Sequence, residues 1–494
     1  MKMKRAVLFG GAAVLGWILA RHRRGAGHDT TSGAPVHQTG RAARNARMAG
    51  MGAKVGTSYA VHRARRAFAP EPRRAELDLE HQMHTAEQVA QTLGNMKGAM
   101  MKVGQMLSYL DEGLPEPLRD ALAQLQQDAP PMSGELAAGV VERELGSPPQ
   151  RLFAEWDPVP IAAASIGQVH RAITREGQAV AVKIQYPGVD EAITSDLNSA
   201  GMLFAGMRTM FPGLETGPVL DEIRSRLTEE LDYRKEAESQ RFFADAYDGH
   251  PFIHIPAVVD EYCTGRVFTS ELADGVRFDE AEQWSQEERD LAAETIYRFA
   301  IGSMWRLHVF NGDPHPGNYL FRPGGRVTFL DFGLVKFLTP EEVYPLQRLI
   351  ETIVIDPDPA AFRQTLEDVG FLHHDSALTD DEVVGYFRHF YQFALDEESG
   401  VLDEKYASLT ARKLFQLDGA GSPGIQRSGN VPPAYVILQR INLGLYAVLG
   451  QLRAKAPWRA ISEELWPWVD APPATELGKQ HAAWLAGRRA PAAD

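Results

Sequence analysis

Residues 313–318 read DPHPGN, and residues 331–333, a short way downstream, read DFG. The second motif begins eighteen positions after the first. Between them, two apolar runs flank the sequence PGG at 323–325, which predicts a β-hairpin because proline and glycine favour tight turns. A hairpin returns the chain, so Asp313 and Asp331 are expected to face one cleft. Either motif alone is a common turn, and their order and spacing carry the information.

A lysine upstream extends this pattern. Residues 179–183 read AVAVK, an apolar strand that ends on Lys183. In protein kinases, a lysine on such a strand binds the phosphates of ATP, an Asp-x-x-x-x-Asn loop carries the base and a metal ligand, and the DFG aspartate binds Mg²⁺. A lysine at the end of a strand is commonly just a surface residue. Its position ahead of the two acidic motifs, however, predicts one ATP·Mg²⁺ site.

The chemistry of the residues assigns a role to each of them. Asn318 and Asp331 supply oxygen ligands of the kind that Mg²⁺ prefers, and phosphates and water complete its coordination. Lys183 pairs with the phosphates, and Asp313 lies where the catalytic base accepts a proton from a hydroxyl. His315 lies between two prolines and has no second ligand at a metal-binding spacing, so we predict a hydrogen-bonded loop histidine.

A helix-borne glutamate is needed to hold the lysine. Kinases place this lysine in an ion pair with a glutamate, and the pair must form for activity. Residues 218–247 predict a helix, and Glu230 and Glu236 within it are the candidates. A second long helix is predicted over residues 286–310.

The phosphate-binding loop departs from the usual kinase pattern. No G-x-G-x-x-G precedes Lys183, and residues 162–169 read AAASIGQV instead. Alanine is less permissive than glycine in backbone conformation, so this loop is expected to wrap phosphates less freely. Asn311 and Gly312 stand where kinases carry His-Arg, and no A-P-E follows the DFG.

These departures are themselves a pattern, and the sequence resembles the UbiB-like (AarF-type) atypical kinases. That family has a protein-kinase-like fold and is associated with coenzyme Q biosynthesis. The matching motifs are K-x-G-Q at 102–105, the alanine-rich loop, Lys183, E-x-D at 230–232, Glu236, and the motifs at 312–318 and 331–333. The resemblance covers roughly residues 85–450.

The resemblance implies that Glu236 pairs with Lys183 and that a helical extension folds over the cleft. In the family this extension occupies the space where a protein substrate would dock. That disfavours ordinary protein kinase activity and favours ATP hydrolysis or phosphorylation of a small or lipid-like molecule. The expected nucleotide-binding residues are Ala162, Ala163, Ala164, Ser165, Ile166, Gly167, Gln168, Val169 and Lys183, joined by Lys102 and Gln105 of the extension and by Glu230 and Asp232 beneath it.

The expected fold class is α+β, a bilobal protein-kinase-like fold with an extra N-terminal helical extension and a mostly helical C-lobe. The predicted segments are a basic N-terminal segment and linker at 1–84, the helical extension at 85–150, an N-lobe with inserted helices at 151–275, the C-lobe at 276–470, and a flexible tail at 471–494.

Charge is unevenly distributed along the chain. The first 70 residues carry 13 Lys and Arg against one acidic residue, whereas the remainder carries 38 basic and 64 acidic residues. An acidic body argues against nucleic-acid binding, and a basic head favours an anionic surface such as a membrane. The single cysteine, Cys263, excludes an internal disulfide and any multi-cysteine metal site.

Residues 6–20 form an uncharged apolar stretch between basic flanks. As a helix it spans about 22 Å, short of the roughly 30 Å hydrocarbon core, although flanking Lys and Arg extend its reach. A membrane anchor, a removed targeting peptide and an apolar helix docked on protein all stay open. More basic residues follow the stretch than precede it, so we expect a membrane-associated protein with its catalytic body on the cytoplasmic side.

The leading hypothesis is an ATP- and Mg²⁺-dependent atypical kinase or ATPase that supports quinone or prenyl-lipid metabolism at a membrane. The expected partners are ATP and a membrane lipid or prenyl-quinone precursor, together with proteins of a biosynthetic complex. The alternatives are a non-catalytic, nucleotide-gated lipid-binding scaffold and a small-molecule phosphotransferase. Nothing in the sequence indicates the oligomeric state.

Overall fold

The computed structural model describes residues 132–164, 166–189, 231–395, 400–415 and 433–489. The predicted basic segment and anchor, the K-x-G-Q motif with Lys102 and Gln105, Ser165 and Glu230 all lie outside these ranges. Among the described helices, none combines the length and the apolar composition needed to cross a membrane.

The described chain alternates between strands and helices and then becomes mainly helical. The strands are β1 (Phe153–Ala164), β2 (Gly167–Thr174), β3 (Ala179–Gln185), β4 (Ile253–His254), β5 (Val267–Glu271), β6 (Val309–Asn311), β7 (Tyr319–Arg322), β8 (Arg326–Phe329), β9 (Val335–Phe337), β10 (Gly400–Leu402) and β11 (Ala454–Ala456). The helices are α1 (Gly134–Leu145), α2 (Tyr233–Ala246), α3 (Gln286–Gly302), α4 (Pro340–Ile350), α5 (Pro359–Asp368), α6 (Asp380–Phe387), α7 (Glu404–Phe415), α8 (Pro433–Gln451), α9 (Trp458–Leu465) and α10 (Glu476–Arg489). Shorter helical turns lie at Pro149–Leu152, Asp260–Tyr262, Phe278–Ala281, Ser303–Leu307, Pro316–Asn318, Glu351–Ile355, Arg388–Tyr391 and Gln392–Leu395.

The N-lobe is an antiparallel sheet in the order β1-β2-β3-β5, with α1 packed on one face. The side chains of β3 alternate, so Val180, Val182 and Ile184 are fully buried in the core that α1 covers, while Lys183 points to the other face. Each buried aliphatic side chain contributes about 1.5–3 kcal/mol to this packing. Helix α1 was predicted as part of the extension at 85–150, but it belongs to the N-lobe core.

The C-lobe is built around α3. Residues 292–302 of this helix are buried without interruption, as expected for a helix with neighbours on every side. The predicted hairpin is present as β7 and β8, and Gly324 and Gly325 adopt φ angles of 79° and 71° in its turn. The hydroxyl of Thr295 donates to the carbonyl of Gly325 and fixes the hairpin to α3.

The helix predicted over 286–310 ends earlier than expected. It stops at Gly302, continues as a π-helical turn over Ser303–Leu307 and breaks at His308, whose φ of 54° is left-handed. The chain then enters β6, which pairs antiparallel with β9 beyond the DFG motif. This pairing places the DPHPGN loop beside the DFG, so a tertiary contact overrides the local helical pattern.

The structure also differs from the flexible tail that was predicted at 471–494. The segment Glu476–Arg489 is a helix, and Leu477 and His481 on it are buried. The sequence of this helix has no apolar stripe that would predict its packing. Polar and aromatic contacts with residues distant in sequence hold it in place.

Candidate active site

A lysine–glutamate ion pair lies at the centre of the site. The ammonium nitrogen of Lys183 lies 2.7 Å and 2.9 Å from the two carboxylate oxygens of Glu236, and the side chain of Glu236 is only 5% exposed. Glu236 lies in the first turn of α2, where the helix dipole favours negative charge. Of the two predicted candidates, Glu236 is the one that the structure brings to Lys183.

The charges around Lys183 fix its protonation state. Burial alone lowers its pKa, but the negative charges of Glu236 and Asp331 outweigh burial and hold the pKa above its usual value. The ammonium group also lies 5.1 Å from the ring centroid of Tyr233, where a cation–π contact favours the charged form. Lys183 therefore remains a cation at neutral pH.

The start of α2 is tied to the sheet that carries the lysine. Asp232 is the N-cap of α2, and its carboxylate accepts a hydrogen bond from the backbone of Arg234 at 3.2 Å. The amide of Gln185, two residues after Lys183, donates to the carbonyls of Leu231 and Gly265. The side chains of Gln185 and Asp232 thus connect the strand that carries Lys183 with the helix that carries Glu236.

The alanine-rich segment contributes the adjoining ends of β1 and β2. Ala164 pairs with Gly167 across β1 and β2, and buried Ile166 accepts a backbone hydrogen bond from Tyr186 at 2.9 Å. A Cβ atom added to Gly167 would lie 2.2 Å from the carbonyl oxygen of Ile184. Glycine is required here because β2 passes close to β3.

Strand register separates the predicted nucleotide contacts into two faces. Val169 lies opposite Lys183 on one side and Ala162 on the other, so these three side chains share the cleft face of the sheet. Gln168 faces the other way, opposite Ala163, and its buried amide exchanges hydrogen bonds with the backbone of Met132. The sequence pattern could not divide the segment in this way.

A buried histidine extends the Gln168 contact. The amide nitrogen of Gln168 lies 2.8 Å from Nε2 of His170, and Nδ1 of that histidine lies 2.9 Å from the carbonyl oxygen of Asp157. Burial lowers the pKa of His170, with an opposing contribution from Asp157. The neutral ring fits this arrangement, with Nε2 accepting and Nδ1 donating. This part of the N-lobe is a structural support for the cleft.

The DPHPGN loop closes on itself through side-chain contacts. The amide nitrogen of Asn318 donates to the backbone carbonyl of Asp313 at 2.9 Å and lies 3.4 Å from its carboxylate. Nδ1 of His315 accepts from the backbone of Gly317, as expected for a loop histidine. Pro314 packs on α8, where a Cβ added to Gly444 would lie 2.7 Å from its ring.

Asn311 is a positioning residue that the sequence analysis did not single out. Its amide nitrogen donates to the backbone carbonyl of Asp331 at 2.9 Å, and its amide oxygen accepts from the backbone of Asp313 at 3.3 Å. One side chain therefore connects both acidic motifs. The only signal was the Asn-Gly pair in place of His-Arg, and Gly312 is needed because a Cβ there would meet Leu334 at 2.7 Å.

The DFG motif is oriented toward the lysine. One carboxylate oxygen of Asp331 accepts from the backbone of Gly333 at 2.8 Å, and the other lies 3.9 Å from the Lys183 ammonium. Phe332 is fully buried, with ring centroids 5.0 Å from Phe243 on α2 and 6.4 Å from Phe299 on α3. Packing of Phe332 thus aims the aspartate into the cleft.

The donors in this cleft fit a magnesium nucleotide. Asp331 offers a carboxylate that is 30% exposed, and Asn318, whose amide nitrogen donates to Asp313, carries a carboxamide oxygen that could bind a cation. Oxygen donors of this kind suit Mg²⁺. In the part of the chain that the structure describes, no group of three or more His, Cys, Asp or Glu could hold a metal ion. Phosphates would therefore have to supply further ligands.

Comparison with known proteins identifies relatives of the chain. A family model described as the ABC1 atypical kinase-like domain matches residues 124–365. The atypical kinase COQ8B, mitochondrial, of Rattus norvegicus is 38% identical over 250 residues, which are 50% of this chain and 47% of that protein. The atypical kinase COQ8, mitochondrial, of Saccharomyces cerevisiae is 31% identical over 306 residues, 59% of this chain and 61% of that protein. The chain spans about half the length of the curated relatives it matches.

A solved structure matches over a larger part of the chain. The complex of Rv3197 with erythromycin from Mycobacterium tuberculosis has 32% sequence identity and a TM-score of 0.58. The match covers 80% of this chain and 98% of that one. The family model and the COQ8-type relatives show that the chain belongs to the ABC1 family of atypical kinases, the UbiB/AarF family that the sequence motifs indicate.

Proposed function

We propose that this chain is an ATP- and Mg²⁺-dependent atypical kinase or ATPase. The observation that carries the proposal is the position of the Lys183 ammonium, 2.7 Å from Glu236 and 3.9 Å from Asp331. One largely buried cation therefore joins the sheet, the glutamate-bearing helix and the DFG motif. Phosphoryl-transfer enzymes use this combination to hold the phosphates of a nucleotide beside its metal ion.

Each residue then has a defined task. Lys183 binds the α- and β-phosphates as a permanent cation, while Ala162 and Val169 form the apolar roof above the nucleotide. Asn318 and Asp331 hold Mg²⁺, which when bound supplies charge neutralisation at the phosphates. Asp313 orients the accepting hydroxyl or water and takes its proton.

The proposed acceptor is water or a small or lipid-like molecule. The resemblance to UbiB-type proteins supports this choice, because it implies that Lys102 and Gln105 of the extension cover the cleft near Glu230 and Asp232. We place the activity in quinone or prenyl-lipid metabolism at a membrane, with the catalytic body on the cytoplasmic side. The basic N-terminal segment, with its apolar stretch at residues 6–20, supports membrane association.

A non-catalytic scaffold gated by nucleotide is the second candidate. The observation that favours it is the close packing of the alanine-rich hairpin, where Gly167 abuts Ile184 and Gln168 is bound to Met132. Such a hairpin has little freedom to wrap a transferring phosphate. A small-molecule phosphotransferase is the third, since the matching Rv3197 structure is described as a complex with erythromycin.

Phosphate release separates these candidates. Purified full-length protein would be assayed with MgATP, with and without liposomes containing anionic lipid, beside Asp313→Asn and the exposed control Asp470→Asn. We expect turnover in the wild type and the control, and a loss of at least about tenfold in Asp313→Asn. Equal release by wild type and Asp313→Asn under every condition would favour the scaffold. Omission of Mg²⁺ should abolish the wild-type activity.

A further inference from the structure

The C-terminal helix α10 contacts the end of the helix that carries Glu236. The indole nitrogen of Trp484 donates to the carbonyl of Asp248 at 3.0 Å. The guanidinium of Arg488 donates to the carbonyls of Asp248 and Asp245 at 3.0 Å and 2.9 Å. The last carbonyls of a helix have no partner within it and carry the negative end of its dipole, so a cation at this position stabilises α2.

Aromatic contacts reinforce these hydrogen bonds. The ring of Trp484 stacks on Tyr247 with an interplanar angle of 2° and lies edge-on to His250, 4.5 Å between centroids. The Arg488 guanidinium lies 5.2 Å from the same indole ring. His250 and His481 are 2.9 Å apart through their ring nitrogens. The turn after α2 is therefore enclosed by α10.

Helix α10 is anchored independently of α2. The guanidinium of Arg298, fully buried on α3, pairs with Glu464 of α9 at 2.8 Å and donates to the hydroxyl of Thr475 at 3.1 Å. That hydroxyl accepts from the backbone of Gly478 at 2.9 Å, and Glu464 accepts from the backbone of Ala474. The start of α10 is thus fixed to the C-lobe, and its far end can act as a stop against α2.

Helix α2 makes three contacts along its length that bear on the site. Glu236 binds Lys183 in the first turn, Phe243 packs on Phe332 of the DFG two turns later, and the carboxyl end meets α10. About 16 Å separate Glu236 from Tyr247 at 1.5 Å per residue. We expect a helix of this length to move as a rigid unit, so that a displacement of its carboxyl end also displaces Glu236.

We propose that Trp484 and Arg488 are positioning residues that hold α2 in the orientation in which Glu236 engages Lys183. The inference rests on the proposed nucleotide site, because the lysine–glutamate pair acts there. It also implies a route of regulation. A change that separates α10 from the turn at 247–250 would weaken the Lys183–Glu236 ion pair and, with it, nucleotide binding.

The first test measures hydrogen exchange in full-length protein without nucleotide. The variants are Arg488→Ala, the milder Trp484→Phe, which keeps the ring but loses its N–H, and the conservative Arg488→Lys. Lys479→Ala is the matched control, an exposed cation on the same helix whose partner is Glu476. We expect about tenfold faster exchange across α2 in Arg488→Ala, partial protection in Arg488→Lys, and no change in the control. Unchanged exchange in α2, or equally faster exchange throughout the C-lobe, would overturn the proposal.

The second test is a double-variant cycle on MgATP affinity. We expect Arg488→Ala to weaken binding about three- to tenfold in the wild-type background and less than about twofold when Glu236→Gln is already present. An equal loss in both backgrounds would mean that α10 acts on stability alone, which contradicts positioning. Absence of MgATP binding in the wild type would refute the proposed nucleotide site, whereas the exchange of α2 would still decide whether α10 holds the helix.

Discussion

Asn311 donates a hydrogen bond to the backbone carbonyl of Asp331, while its amide oxygen accepts one from the backbone of Asp313. This side chain connects the loop that carries Asp313, the proposed catalytic base, with the loop that carries Asp331, the proposed metal ligand. In kinases a histidine stands at this place in the motif. In this chain an asparagine at that place connects the two loops.

Substitution of Asn311 should impair catalysis more than folding. The Asn311 side chain makes neutral hydrogen bonds to backbone groups, so we expect Asn311→Ala to lower the free energy of unfolding by about 1–2 kcal/mol. Steady-state kinetics should show kcat lowered by at least about tenfold, with a smaller effect on KM. Asn311→His should retain more activity than Asn311→Ala. Equal activity of wild type and Asn311→Ala would contradict the positioning role.

The lysine–glutamate pair should behave as one energetic unit. Lys183→Met and Glu236→Gln each leave a largely buried charge without its main partner, so each should cost about 3–5 kcal/mol. In the double variant the losses should not add, and the coupling energy should be about 1–3 kcal/mol. Denaturant unfolding monitors stability, and Lys455→Ala, at an exposed site on β11, is the control. Simple additivity would show that the two charges do not stabilise each other.

Two glycine-to-alanine substitutions should have opposite effects. In Gly167→Ala the new methyl would lie 2.2 Å from the carbonyl of Ile184, so the strands must separate, and we expect a loss of more than about 2 kcal/mol. Gly139 lies in the interior of α1 with nothing within 4 Å of an added Cβ. Gly139→Ala should therefore stabilise by about 0.5–1 kcal/mol. Thermal unfolding distinguishes the two, and a neutral Gly167→Ala would refute the close strand approach.

The histidine pair formed by His481 of α10 and His250 of the turn after α2 should make docking of α10 sensitive to acid. Burial, followed by the charges of His481 and Arg298, lowers the pKa of His250 to about 3, and burial with Arg298 and Arg306 lowers that of His481 to about 3. Both rings are neutral in the folded protein, whereas the unfolded chain takes up protons below about pH 6.5. The unfolded state thus binds more protons, and stability falls as the pH decreases from about 6.5.

Stability measured between pH 7 and pH 5 checks this expectation. Each histidine can contribute up to about 2 kcal/mol of loss over this interval. Hydrogen exchange of α10 should accelerate in acid, and the acid sensitivity should be weaker in His481→Asn. The exposed His373 serves as control, since His373→Asn should leave the pH profile unchanged. A profile that is flat in the wild type would contradict the buried neutral pair.

The sequence predicts those candidate site residues and elements that depend on spacing along the chain. The motifs that predict Lys183, Asp313, Asn318 and Asp331 follow one another along the chain, and the structure brings Lys183 beside Asp331 and Asn318 beside Asp313. The hairpin at 323–325 and the β3 strand followed from turn residues and apolar patterning. These features depend on contacts between residues close in sequence or on the β7–β8 hairpin.

Features that depend on distant packing could not be predicted. Asn311 has no motif of its own, and its role is visible only once β6 pairs with β9. The contact of Glu236 with Lys183 depends on where α2 begins, which Asp232 sets by capping it. Helix α10 looked like a frayed tail because its anchors, Arg298 and the turn at 247–250, are far away in sequence.

Isothermal titration of MgATP into the wild type and Asp331→Asn tests the proposed site most directly, with Asp470→Asn as the exposed control. We expect saturable binding by the wild type and the control, and binding weakened by at least about a hundredfold in Asp331→Asn, because a neutral amide lacks the negative charge that the carboxylate offers to the metal ion. Equal affinity of Asp331→Asn and wild type for MgATP would contradict the site.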